Sequence, residues 1–358
     1  MRLHSIALTT LALYFGLVSA EHANAQNAAP RISVVNQSLN APFSLTVEAK
    51  TNRVIVAESG AFRIVEVKGD QLIELAADFP ESEFRGYRVG PISVVSAGES
   101  AMLVSHASPE GKGALTRLLR DSEQSEDEAP EFDRQTVEIE NLEDLELGPL
   151  SHVMLKNSLV YVVADGDAEN GWVAIADIQH KKLMPLSPSI PTSRHTGCES
   201  PSSITLSPDG AYLLVSQMGK RDDTTDSRLA FYSLGGKLLD QFPVELNDIV
   251  AIAYSPNRKH LFAIDHHFSD PRQGGLYKII AAKEKGCTVK KIADLSYATS
   301  MAFDDSGTLW VTTLGGPPSQ DNTDPAGTLI KIEGLDEPFE VDRKSVESLE
   351  SSLPRKQP

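Results

Sequence analysis

A stretch of about 16 residues recurs six times along this chain of 358 residues, at a spacing of about 50. The copies begin PFSLTVEAKTNRVIVA at 42–57, PISVVSAGESAMLVS at 91–105 and PLSHVMLKNSLVYVVA at 149–164. They continue PSSITLSPDGAYLLVS at 201–216, IVAIAYSPNRKHLFAI at 249–264 and ATSMAFDDSGTLWVT at 298–312. A unit this short cannot bury its own apolar surface, so successive copies must pack on one another.

Each copy reads as two strands around a tight turn. Ser207-Pro208-Asp209-Gly210, Ser255-Pro256-Asn257-Arg258 and Asp304-Asp305-Ser306-Gly307 carry the residues that chain reversal prefers. Apolar runs such as 212–215 and 261–264 suit strands covered on both faces. A polar loop and a second strand pair follow, at 63–67 with 72–76, 229–233 with 237–242, and 276–280 with 289–293. Four strands per unit and six units predict an all-β, six-bladed β-propeller with four-stranded antiparallel blades. The sixth unit has a third strand at 328–333 but no fourth, so the segment 32–35 is expected to close the ring by pairing with it.

Residues 1–25 read as an export signal: Arg2, an apolar run at 6–18 too short to span a bilayer, and the small-x-small site Ala23-Asn24-Ala25. Cleavage near Ala25 would leave the propeller at 26–334, with an acidic loop at about 120–135, and a polar tail at 335–358, secreted or in a periplasm. A net charge of -17 disfavours nucleic acid, and no later apolar stretch predicts membrane insertion. The two cysteines, Cys198 and Cys287, fall in distant parts of the repeat and are expected to be free thiols.

The SPDG turn between apolar strands, together with third strands GGLYKI at 274–279 and GTLIKI at 327–332, resembles exported six-bladed propellers of the NHL-repeat, gluconolactonase (senescence-marker) and strictosidine-synthase-like superfamily. The resemblance spans about 32–333 and implies, for the enzyme branch, a divalent cation such as calcium or zinc at the channel mouth. Glutamate, asparagine and aspartate would hold that cation where innermost strands begin. Here those starts read Phe43-Ser44, Ile92-Ser93, Leu150-Ser151, Ser202-Ser203, Val250-Ala251 and Thr299-Ser300, without a carboxylate or amide.

Two rings of polar residues follow from the alignment of copies. Ser44, Ser93, Ser151, Ser203 and Ser300, with Ala251 in the remaining blade, would circle the channel entrance, either packing the axis or presenting hydroxyls to a ligand. Glu58, His106, Asp165, Gln217, Asp265 and Thr313 end the second strands on the same face. Asp265, His266 and His106 are candidates for acid–base work, and Asp165, Asp265 and His266 for a metal. Arg85, Arg88, Arg194 and His195 lie between blades on that face and could attract an anion. The leading expectation is a module binding a small molecule, glycan or protein. The alternatives are a metal-assisted lactonase or esterase and a structural component of the cell envelope.

Overall fold

The computed structural model describes residues 29–98, 100–120, 131–140, 149–167, 169–282, 286–317 and 326–336. The export segment, most of the acidic loop and the tail from 337 lie outside the described residues. Among the described residues, no helix is long and apolar enough to cross a membrane.

Six antiparallel sheets form a six-bladed propeller. Blade 1 is β2 (Pro42–Val47), β3 (Val54–Glu58), β4 (Arg63–Lys68) and β5 (Gln71–Ala76). Blade 2 is β8 (Ser93–Ser96), β9 (Ala101–Ala107), β10 (Gly113–Arg120) and β11 (Phe132–Glu138). Blade 3 is β12 (Leu150–Lys156), β13 (Leu159–Ala164) and β14 (Trp172–Gln179), its edge shared by two short strands, β15 (Lys182–Leu183) and β16 (Ser187–Ile190). Blade 4 is β17 (Pro201–Leu206), β18 (Tyr212–Gln217), β19 (Arg228–Ser233) and β20 (Leu238–Pro243). Blade 5 is β21 (Ile249–Tyr254), β22 (Leu261–Asp265), β23 (Gly275–Ala282) and β24 (Gly286–Asp294).

Blade 6 takes β25 (Ala298–Phe303), β26 (Leu309–Thr313) and β27 (Gly327–Glu333) from the end of the chain and β1 (Arg31–Leu39) from its start. Ile32 lies opposite Ile332 and Val34 opposite Ile330, so the N-terminal strand closes the ring, over a longer stretch than the sequence suggested. Closure matters because blade 6 then packs on blade 1, covering the apolar end faces that an open stack would leave bare.

The second strand of each blade is nearly all buried because neighbouring blades cover both of its faces. Between blades 4 and 5, Phe231, Phe242, Leu261 and Ile279 form one apolar cluster, and comparable clusters fill other blade junctions. Each fully buried residue of this kind contributes about 2 kcal/mol by leaving water. Cys198 and Cys287 are free and buried, and burial pushes both thiols up to about 11.

Blade 3 departs from the repeat as read from sequence. Its inner hairpin turns on two residues, Asn157-Ser158, with Asn157 at φ +55°, whereas the turn of blade 1 is longer. Leu150 then lies opposite Ala164, as Pro42 lies opposite Glu58, and the copies fall one residue out of step. His152 rather than Ser151 takes the position of Ser44, and Ala164 rather than Asp165 takes that of Glu58. Two elements outside the blades complete the described chain: a hairpin of β6 (Ser82–Phe84) and β7 (Tyr87–Val89), and a short helix, α1 (Thr192–Thr196).

Candidate functional site at the channel mouth

All six first strands, or the residues just ahead of them, meet around one cavity of about 40 Å³ on the propeller axis. Ser44, Ser93, Ser151 and Ser300 line it, with Ser202 and Thr299. Ser203 is fully buried beside it, its hydroxyl 3.2 Å from His152 Nδ1.

The hydroxyls near the axis join blade to blade. Ser44 Oγ accepts from Val94 N of the next blade at 3.3 Å, Ser93 Oγ from Val153 N at 3.2 Å and Ser203 Oγ from Ile252 N at 3.3 Å. Ser151 Oγ donates to Ser202 O at 3.4 Å, and Thr299 Oγ1 to Pro42 O at 2.8 Å, which ties blade 6 to blade 1. Blade 5 has Ala251 at the serine position and therefore no hydroxyl. Its junction with blade 6 is made by an imidazole instead: His266 Nδ1 donates to Ala298 O at 2.8 Å. Inner strands converge too closely for large side chains, and a short hydroxyl can satisfy a backbone group across the gap.

Most of the second ring serves its own blade. Glu58 is fully buried, accepts from Asn40 N at 2.7 Å and pairs with Arg63 Nε at 2.6 Å. Gln217 Nε2 donates to Cys198 O at 2.6 Å. Asp265 accepts from Asn247 N, Asp248 N and His267 N. In all three blades the end of the second strand thus grips the chain at or near its entry to the first. His106 is held inside blade 2, donating from Nδ1 to Ala107 O at 2.6 Å and lying 2.7 Å from Thr116 Oγ1, while Thr313 bonds Thr328. Arg194 and His195 sit exposed on α1, Arg194 bonded to Glu169 O and His195 beside Tyr232, and neither lines the cavity.

Asp165, one residue past the grip position, does something different. Its Oδ1 accepts from Gly166 N at 2.9 Å, and its Oδ2 accepts from Arg85 Nε at 3.2 Å. Arg85 arrives from the β6–β7 hairpin, whose two-residue turn is Arg85-Gly86 with φ of +55° and +83°. Two positive φ values are what the tight hairpin turn requires, and Gly86 adopts one freely. Arg85 adopts the other at a cost of about 1 kcal/mol. Phe84 and Tyr87 anchor the hairpin against Phe43, 6.1 and 5.6 Å between ring centroids, so its tip lies over the channel mouth.

The Arg85 side chain is only 7 % exposed. Its guanidinium lies 4.3 Å from the Phe84 ring centroid and 5.7 Å from that of Phe268, and its Nη2 is buried without a protein partner. Burial pulls its pKa down and Asp165 opposes that, and an arginine keeps its charge through such shifts. His266 packs on the same Phe268 ring at 4.3 Å and is 2 % exposed. Because Nδ1 is bonded to a carbonyl, Nδ1 carries the proton and Nε2 the lone pair, and Nε2 is buried without a partner. Burial holds this imidazole down at about 4 and the nearby Arg85 charge adds to the effect, so it is neutral near pH 7. His152 faces the cavity from blade 3 and is likewise held down at about 4 by burial.

The mouth therefore carries one buried cation, two neutral imidazoles, a rim of hydroxyls and an aromatic wall. The inter-blade arginine of the hairpin was visible in the sequence as one of several; its selection depends on a turn between strands of three residues each. His152 was hidden by the shortened turn of blade 3.

This donor set does not fit a divalent cation. Among the described residues, no acidic side chain lines the cavity and no group of three His, Cys, Asp or Glu side chains is placed to hold a metal. Of the metal candidates, Asp165 is bonded to a guanidinium and Asp265 to three backbone N–H groups.

No protein-family model matches the chain, and no curated protein is similar to it in sequence. Solved structures share its fold. The PQQ-bound aldose sugar dehydrogenase of Streptomyces coelicolor superposes with a TM-score of 0.56 at 14% identity, over 86% of this chain and 100% of that one. A gluconolactonase of Xanthomonas campestris gives 0.55 at 12% identity, over 87% and 93%. At these identities the likeness shows the fold.

Proposed function

We propose that this protein is an exported propeller that binds a small molecule in the channel mouth, beneath the β6–β7 hairpin. The observation that carries the reading is a pair of residues, Arg85 and His266, that line one cavity and pack on one aromatic ring, each with a buried polar atom, Nη2 and Nε2, that has no protein partner. Buried polar atoms without partners are costly, about 1–3 kcal/mol each, and a ligand that pairs with them recovers that energy. A few convergent polar groups among aromatic walls are also the usual make-up of small-molecule pockets. The volume, room for about three waters, favours a small molecule over a protein or the body of a glycan.

A hydrolase acting on a lactone or ester is the second reading. Two fold neighbours are named as enzymes of sugar chemistry, and a neutral imidazole with a bare Nε2 is a group that general-base work needs. A base held down at about 4 is weak, which places this reading second.

One screen separates the two. Ligand-observed NMR on the full chain, with a panel of small acids, polyols, amines and lactones, is expected to give binders that are lost when Val250, which lines the cavity, is replaced by phenylalanine to fill it. Binders indifferent to Val250→Phe, or none from the whole panel, would overturn the binding reading. Disappearance of a lactone during the screen, abolished by Val250→Phe, would favour the hydrolase.

A further inference from the structure

Resting on the reading of the channel mouth as a small-molecule site, we infer that its ligand is a small hydroxy acid, with the carboxylate on Arg85 and the hydroxyl on His266. Charge sets the cavity apart from the rest of the chain. The chain carries a net -17, yet among the described residues Arg85 is the one charged side chain lining the cavity, and no carboxylate lines it. The molecule as a whole repels anions; its channel mouth is built to hold one.

Asp165 does not exhaust Arg85. It meets Nε, while Nη2 is buried and unpartnered, and Asp165 gives its other oxygen to Gly166 N. A neutral donor in place of arginine would have served to hold the hairpin down. A buried guanidinium with an open N–H offers a charge-assisted hydrogen bond to an incoming oxyanion, about twice as strong as a neutral one. Asp165 and, less strongly, Asp248 offset part of the positive potential at Arg85 and Arg221 adds to it, and the arginine keeps its charge throughout.

His266 supplies the second half of the specificity. Its tautomer is fixed by Ala298 O, so Nε2 can only accept. A bare carboxylate has no proton to give it, whereas a hydroxyl does. Both groups pack on Phe268 and line the same cavity, so one small ligand can meet acceptor and cation together. The cavity of about 40 Å³ limits what enters to a molecule, or the end of one, of a few heavy atoms.

Calorimetric titration of the full chain with glycolate, acetate and ethylene glycol, at low ionic strength, tests the assignment. Glycolate is expected to bind about tenfold more tightly than acetate, and ethylene glycol not measurably. Arg85→Gln should weaken glycolate at least tenfold, and Arg85→Lys by less, the loss expected when one charge-assisted hydrogen bond goes. Thermal melts of both variants check that the ring still folds. Equal affinity for acetate and glycolate overturns the hydroxyl assignment, and unchanged glycolate affinity in a folded Arg85→Gln variant overturns the carboxylate assignment. Binding of ethylene glycol or of an amine, sensitive to Val250→Phe, with no response to either acid, overturns this inference while leaving the binding reading standing. No response to any class overturns both.

Discussion

Glu58 shows at the scale of one residue how a position can be legible in sequence while its task is not. Six aligned copies place a polar residue after each second strand, and that much is visible. Whether the side chain turns to the axis or into its own blade depends on a register shift in the first strand, between Pro42 and Ser44 in blade 1, which has no compositional mark. The structure turns Glu58 inward, onto Asn40 N and Arg63 Nε. Because its carboxylate is fully buried and Arg63 is about a third exposed, removal leaves one backbone N–H unpaired and one cation half-solvated. Glu58→Ala is therefore expected to cost about 2–3 kcal/mol of stability, below the full penalty for breaking a buried pair. Glu58→Gln, which keeps an acceptor for Asn40 N, should cost less. Urea unfolding of the two variants measures both, and equal losses would show that the grip on Asn40 contributes nothing.

Among whole elements, legibility followed length and repetition. Inner strands of five or six apolar residues between turn motifs were readable, and so was β1, because the sixth unit lacked a fourth strand. The β6–β7 hairpin was not, since strands of three residues leave no period to detect and its turn pair, Arg85-Gly86, holds only one of the usual turn residues. The blade 3 shift escaped for a related reason: a two-residue turn replaced a longer one, and the motif spacing that aligned the copies no longer measured the strand register. For β1 the burial pattern divides its contributions sharply. Leu39 is fully buried between blades 6 and 1, whereas Ile32 is 47 % exposed on the outer edge. Leu39→Ala should cost about 3 kcal/mol and Ile32→Ala under about 1 kcal/mol. Equal losses in chemical denaturation would mean that β1 closes the ring by backbone pairing alone.

For the molecule as a whole, the buried titratable groups predict how the ring responds to acid. His152, His260 and His266 are held down at about 4, each chiefly by burial, so the folded protein keeps them neutral where an unfolded chain would protonate them near 6.5. Their contribution to stability is full above about pH 6.5 and is lost as pH falls toward 4. Asp248 works the other way. It is fully buried with Oδ1 unpartnered, and burial, aided by Asp265, pushes it up to about 6. The folded state therefore holds a proton on Asp248 that the unfolded chain releases near 4, so acidification from 6 to 4 stabilises through this group, and its buried charge is a liability above pH 6. Three imidazoles outweigh one carboxyl, and stability should fall between pH 6.5 and 4, by up to about 2.5 kcal/mol per pH unit near pH 5. Asp248→Asn removes the opposing group while an amide oxygen can still accept from Phe268 N, which Asp248 Oδ2 now does at 2.7 Å. The variant should be more stable than the parent at pH 8, by on the order of 2 kcal/mol, and should lose stability more steeply on acidification. Thermal melts at pH 8, 6.5, 5 and 4 decide the matter, and parallel pH profiles for the two proteins would mean that Asp248 titrates as an ordinary carboxyl. The same loop links this balance to the channel, because Asp248 holds the backbone of Phe268, the ring on which Arg85 and His266 both rest.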